Sequence, residues 1–222
     1  MESRRGDQME MNQKEILRYL GYGGQEADEQ VLSLVRECYR ELKRLTIPKS
    51  ISRSYPLRLF DGDGVDMTCF QTHSQHLYKN LRDCEQILLF AATLGTAADM
   101  LIQKYTKLQM SKAVILQAAA TAMLEDYCDE EYEKMRASYE AQGFYLRPRF
   151  SPGYGDFPLE CQPALIGALE TGKRIGITLT DSLLMAPSKS VTAVIGVSRI
   201  ARTCTAKGCE VCAKQDCIYR RG

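Results

Sequence analysis

No apolar run in this 222-residue chain is long enough to cross a bilayer. The longest, 113–124, is interrupted by Gln117 and Thr121 and falls well short of the ~20 residues that a spanning helix needs. Charge of one sign is also missing. The 29 Lys plus Arg stand against 28 Asp plus Glu, a net charge of +1, so nothing draws the whole molecule to nucleic acid or to an anionic membrane. Residues 1–14 are polar and charged, without the apolar segment of a secretory signal, and a cytoplasmic protein is expected. There is no nucleophile elbow, Walker loop, dinucleotide fingerprint or internal repeat, which excludes a self-contained hydrolytic or nucleotide-hydrolysing site. Histidine is scarce: His73 and His76, three apart, would share one face of a helix and have no carboxylate or thiol beside them in sequence.

Cysteine is plentiful, but its pattern argues against a disulfide framework. Nine is an odd number, and Cys38, Cys69, Cys84, Cys128 and Cys161 are scattered through segments that read as helix or strand, as expected of reduced thiols. The other four are clustered near the end of the sequence.

The pattern divides the chain into a helical segment (1–50), a main α+β domain (51–200) and a Cys-rich tail (201–222). Asn12 can cap a first helix ending before Gly21, and Val31, Leu34, Val35, Cys38, Leu42 and Leu45 mark a second over 27–44. Strand-like alternation follows at 51–60 and 65–70 around the turn Asp61-Gly62-Asp63-Gly64. A short helix is expected at 74–81, a buried strand at 86–92 and a helix at 97–105. The longest helix, 111–139, is Ala-rich at first and then acidic, with Glu125, Asp126, Asp129, Glu130, Glu131 and Glu133 read mainly as a solvated face. Beyond Gly143 the pattern predicts strands at 145–150, 175–179 and 190–198, and a helix over 159–170 stopped by Gly172. Half-buried strands among more numerous helices imply a mixed or antiparallel sheet and the α+β class.

Two segments carry the chemistry. Arg149-Phe150-Ser151-Pro152-Gly153-Tyr154-Gly155-Asp156-Phe157-Pro158 places a guanidinium, two permissive glycines and an aromatic ring in a loop braced by prolines. Arginine can hold a carboxylate in a two-pronged grip, and a tyrosine between glycines can lie against a planar ligand. The second segment is Thr180-Asp181-Ser182-Leu183-Leu184-Met185-Ala186-Pro187-Ser188-Lys189-Ser190-Val191-Thr192.

In order and spacing these two segments resemble the Arg-x-x-x-Gly-Tyr-x-x-x-Pro and Thr-Glu-Ser-x-x-Met-x-Pro-x-x-x-Val signatures of the activation domain of cobalamin-dependent methionine synthase, with Asp181 in place of the Glu. The resemblance covers roughly 74–198. It implies a twisted, largely antiparallel sheet with surrounding helices, and a site for S-adenosylmethionine. Carried over residue by residue, Arg149 takes the ligand carboxylate and the backbone of Ser151, Pro152, Gly153, Tyr154 and Gly155 holds the rest. Tyr154 reaches the corrin face as the catalytic group. Asp181 can bond the ligand amine, or serve as an ordinary strand-end carboxylate. Where the family has a helix-borne Glu, this sequence has Thr121 or Ala122; Glu125, one turn on, can replace it.

The resemblance further implies reductive remethylation of cob(II)alamin. Without a cobalamin-binding segment of its own, the chain reads as a stand-alone reactivation subunit. Its partners would be a corrinoid protein, or a B12-dependent methionine synthase lacking its own activation domain, and a flavodoxin-type electron donor. A non-catalytic adaptor that recognises the ligand or the corrinoid protein is the competing expectation.

The tail, Cys204-x4-Cys209-x2-Cys212-x4-Cys217, lies outside the resemblance. Four thiols at this spacing can surround zinc as a structural clip or hold an iron-sulfur cluster, and a redox pair or plain reduced thiols fit the same spacing.

Overall fold

The computed structural model describes residues 11–22 and 25–201. Helices α1 (Gln13–Tyr19) and α2 (Glu29–Leu45) precede β1 (Lys49–Pro56), then β2 (Arg58–Phe60), β3 (Gly64–Asp66), β4 (Gln71–His73) and α3 (Gln75–Asn80). Next come β5 (Gln86–Thr93), α4 (Thr96–Leu108), the long α5 (Met110–Glu140) and β6 (Tyr145–Leu146). A 3-10 turn at Leu159–Cys161 leads to α6 (Gln162–Leu169), α7 (Thr171–Arg174), the hairpin β7 (Thr178–Leu179) and β8 (Met185–Ala186), and β9 (Ser190–Ser198).

The main sheet has the order β1-β5-β9-β6, and every neighbouring pair is antiparallel. The central strands β5 and β9 read as unbroken apolar runs because both their faces are covered. Leu88, Phe90 and Ala92 on β5, with Ala193, Ile195 and Val197 on β9, pack into a core shared with α1, α2, α4 and α5. Their alternates Ile87, Leu89, Ala91 and Val194 pack with residues of α3, α6 and β3. α5 is buried on most sides: between 113 and 124 only Val114, Gln117 and Thr121 escape. Its alanines have no bulk to hold neighbours away. Each fully enclosed Leu or Ile in this double core contributes roughly 1.5–3 kcal/mol.

The amino-terminal helices join the first core through Ile16, Val35, Cys38, Tyr39 and Leu42. Asn12 caps α1 by accepting from the Glu15 amide, and Asp28 caps α2 by accepting from Val31 at 2.8 Å. Lys112 pins α2 to α5. Its ammonium, nearly enclosed, donates to Glu37 at 2.7 Å and to the Tyr105 hydroxyl at 3.0 Å, with Glu41 at 3.3 Å.

Several sequence expectations are corrected. The segment 51–60 is divided between two sheets at Leu57, and 65–70 yields only β3 before a turn in which Thr68 has a positive φ. His73 lies on β4 and His76 on α3, so they share no helical face. The strand at 145–150 stops after Leu146, two residues before Pro148, which has no amide to pair; only Phe150 returns, in a bridge to Val194. The strand at 175–179 is confined to Thr178–Leu179, following Gly176 with its positive φ. α6 is stopped not by Gly172 but by Glu170, which adopts the left-handed conformation (φ 52°, ψ 39°), and Gly172 lies inside α7.

Candidate functional site

The two segments singled out by sequence meet the same helix. Arg149 lies against successive turns of α5, where its Nη2 donates to Asp129 Oδ1 at 2.6 Å and Glu125 Oε2 at 3.3 Å. The guanidinium is 19% exposed, Glu125 38% and Asp129 66%, so the cluster lies at the surface rather than inside the protein. Both ion pairs run through Nη2, and neither carboxylate engages the other terminal nitrogen. Cys128 lies on the same turn. Burial pushes its thiol up to about 12, and the adjacent Arg149 charge opposes that shift. Tyr132 fixes the approach of the chain by donating to the carbonyl of Arg147 at 3.2 Å.

α1 adds a residue that the sequence did not flag. Burial raises the Tyr19 hydroxyl above its ordinary value, and the Glu125 carboxylate adds to that shift. Asp129 was also missed, submerged in a run of acids. Its i+4 spacing from Glu125 was the available signal.

From Arg149 the loop turns over a buried anchor. Phe157, 1% exposed, accepts from the Gly153 amide at 2.8 Å through its carbonyl, and the Tyr154 amide donates to Ser151 at 3.1 Å. Asp156 ties the loop to the start of α3, accepting from the amides of Gln75 at 2.8 Å and His76 at 3.1 Å and from the Ser74 hydroxyl. Burial works against this carboxylate, but the bonds from Ser74, His76 and Gln75 outweigh it and hold its pKa below the usual range. Gly155 (φ +60°) is required here, because a Cβ would come within 2.5 Å of His76 Nδ1. With both ends of the loop fixed, Tyr154 stands on the surface, 47% exposed, its ring edge-on to Phe150 at 5.5 Å.

The second segment divides. Asp181 is exposed in the turn between β7 and β8, and no hydrogen bond or ion pair links it to Arg149, Tyr154 or any other described residue. Ser188 and Lys189 lie against the helices. The Ser188 amide donates to Asp99 of α4 at 2.7 Å, and Lys189 Nζ donates to Thr121 of α5 at 2.9 Å. Nothing in the sequence singled out Lys189. A cavity of about 820 Å³ opens between α4, α5 and the β7–β8 hairpin, lined by Ser188 and Gln117 but not by Lys189, Arg149 or Tyr154. The tail thiols Cys204, Cys209, Cys212 and Cys217 lie outside the described residues, among which no three metal-ligating side chains converge.

Among solved structures, the chain is similar to the MetH reactivation domain crystallised bound to AdoHcy, with a TM-score of 0.59 and 15% identity over 84% of this chain and 76% of that one. The fold is that of the MetH reactivation domain. The expected α+β class with an antiparallel sheet is therefore the observed one. At 15% identity the likeness is one of fold. No protein-family model matches the chain, and no curated protein matches it. No helix among the described residues is long and apolar enough to cross a membrane.

Proposed function

We propose that the protein binds S-adenosylmethionine in the groove between α5 and the Arg149–Gly155 loop, and presents its methyl group to a corrinoid held on a separate polypeptide. The observation that supports this most directly is the juxtaposition of Arg149 with Glu125 and Asp129 on one face of α5. A guanidinium beside two carboxylates matches the zwitterionic end of an amino acid: the ligand carboxylate meets Arg149, and the ammonium meets Glu125 or Asp129. The same acids favour the sulfonium charge. The fold is that of a domain crystallised with AdoHcy, the demethylated product of this ligand, and that likeness points the same way.

S-adenosylmethionine supplies an electrophilic methyl, and its transfer leaves the neutral thioether S-adenosylhomocysteine. The chain's own residues bind, orient and exclude competing reactions. Arg149 fixes the amino-acid end, and the loop anchored by Phe157 and Asp156 sets the backbone against the ligand. Tyr154, exposed at the rim, faces an incoming corrin. Asp181, in its exposed turn, would serve the ligand amine only after movement of the β7–β8 hairpin, so Glu125 takes that role here. A flavodoxin-type donor supplies the electron that returns the corrinoid to a methyl-accepting state.

The test is transfer of labelled methyl from S-adenosylmethionine to a corrinoid protein under reducing conditions, together with calorimetric titration of S-adenosylhomocysteine. Binding with transfer is the expected result. Binding without transfer to any corrinoid protein would leave the adaptor reading, and absence of binding would overturn the site.

A further inference from the structure

Arg147 is the one buried arginine among the described residues, 4% exposed. Its Nε and Nη2 are sealed from water with no hydrogen-bond partner among those residues, and no carboxylate there pairs with it. The group cannot withdraw. Its amide donates to the Gly196 carbonyl at 2.8 Å, its carbonyl accepts from Tyr132 at 3.2 Å, and its stem lies across β9 where Gly196 leaves the backbone bare. A Cβ on Gly196 would come within 2.9 Å of both Arg147 Cγ and Leu81 Cδ2, and 2.6 Å of Cys84 Sγ. Nor can an arginine shed its proton as a buried lysine can, so the charge stays and its burial without a partner is costly.

An orphan of the opposite kind adjoins it. Asn80, next to Leu81 at the end of α3, donates through Nδ2 to the carbonyl of Pro148 at 3.5 Å, and its Oδ1 is buried without a partner among the described residues. Turning the amide over would set Oδ1 against that carbonyl, so rotation resolves nothing. Orphaned buried groups of this kind are rare in native proteins and mark a place that a bound ion or ordered water completes. Nε and Nη2 share one edge of the guanidinium, where their N–H groups run parallel and match two oxygens of a single oxyanion. Oδ1 calls for a hydroxyl. Glu85, in the turn that follows α3, is directed to Arg199 at 3.6 Å and supplies neither.

We propose that the junction of α3, β6 and β9 is a site for a small hydroxylated oxyanion, hydrogen phosphate or hydrogencarbonate: two oxygens meet Nε and Nη2 of Arg147, and the hydroxyl meets Oδ1 of Asn80. Asn80, Cys84 and Pro148 are partly exposed and give such an ion a short way in. The site is separate from the one at Arg149, which meets α5, whereas the Arg147 stem lies with Leu81 of the other core. Its ion braces the segment that leads into the Arg149 loop.

The test is a thermal melt of the full chain, of Arg147→Met and of Arg147→Lys, in rising concentrations of potassium phosphate, potassium hydrogencarbonate, and potassium chloride at matched ionic strength. Phosphate also stabilises proteins by exclusion from their surface, a gain common to all three chains, so the site is read from the difference between wild type and variant. Arg147→Met keeps a packed stem without the unpaired charge, and should melt no lower than wild type in chloride. With an oxyanion at a hundred times its dissociation constant, the wild-type Tm should rise by about 5–10 °C more than that of Arg147→Met. Arg147→Lys keeps the charge without the two-pronged edge and should lose most of this extra rise; it carries the comparison if the methionine variant does not fold. An extra rise with either oxyanion and none with chloride supports the site. Equal rises in wild type and Arg147→Met, an undiminished rise in Arg147→Lys, or the same extra rise in chloride overturns it.

Discussion

Replacing Arg149 with alanine separates the ligand grip from the fold. The guanidinium bonds two carboxylates that are 38% and 66% exposed. Pairs this open contribute about 0–1 kcal/mol each, so the fold should lose no more than ~2 kcal/mol. For a domain of this size that is a fall in Tm of up to about 8 °C. The ligand should lose more. Hydrogen bonds to a charged group contribute about 1.5–3 kcal/mol, which converts to a rise in Kd of roughly 10- to 150-fold for S-adenosylhomocysteine. Arg149→Lys keeps the charge but not the planar two-pronged geometry, and should recover only part of the affinity. Calorimetric titration and a thermal melt on the same preparations measure both quantities. Unchanged affinity in Arg149→Ala refutes the assignment of the amino-acid end to this residue. A melt lowered by far more than 8 °C would refute the view of these contacts as groove-surface pairs.

Three further outcomes are expected. Tyr154→Ala, at an exposed position, should change stability by no more than about 0.5 kcal/mol and leave S-adenosylhomocysteine binding intact while methyl transfer to a corrinoid protein falls by about tenfold or more; equal transfer rates would remove Tyr154 from the reaction. Asp156→Ala removes the anchor of the loop on α3 and should cost about 1 kcal/mol in urea unfolding at pH 7. The folded carboxyl titrates below its ordinary value of 3.8, so this advantage is present above that pH and disappears as pH falls further; an advantage that survived well below it would contradict the bonding. Lys112→Met removes the nearly enclosed charge of a cluster whose acids keep access to water, Glu37 55% and Glu41 17% exposed, and should cost about 2 kcal/mol, the loss of its charged hydrogen bonds. Burial opposes the Lys112 charge, but bonds to Glu37, Tyr105 and Glu41 raise its pKa above the ordinary 10.5, so its contribution is complete below 10.5 and is lost only as pH climbs through the folded value. Glu37, held below 4.5 chiefly by its hydrogen bond to Lys112, gives up its share as pH falls beneath that value. Unfolding free energies of the two proteins should therefore differ by a constant amount from about pH 5 to 9, and a difference that varied across that window would count against the cluster.

Local chemistry made much of this legible in the sequence. Asn12 caps a helix because a side-chain oxygen can meet a free amide, and the apolar run at 86–92 has the composition of a strand covered on both faces; 190–198, read as half-buried, is covered on both faces only because helices pack on each side of β9. Breaks that depend on neighbours were not legible. Glu170 enters the left-handed region without the glycine that marks such a stop, and the strand toward Phe150 ends early because Pro148 has no donor to give β9.

By itself the sequence determined the loop: its prolines and glycines limit the backbone, and Arg149 and Tyr154 are the groups such a loop can offer. Only the tertiary structure decided what faces them. Glu125 and Asp129 look alike to their acidic neighbours in sequence, and it is the rotation of α5 against the β6 edge of the sheet that selects these two for Arg149. Lys189 reaches Thr121 across 68 residues of chain for the same reason. Contacts of that range depend on the register of packed elements, and no local pattern encodes it.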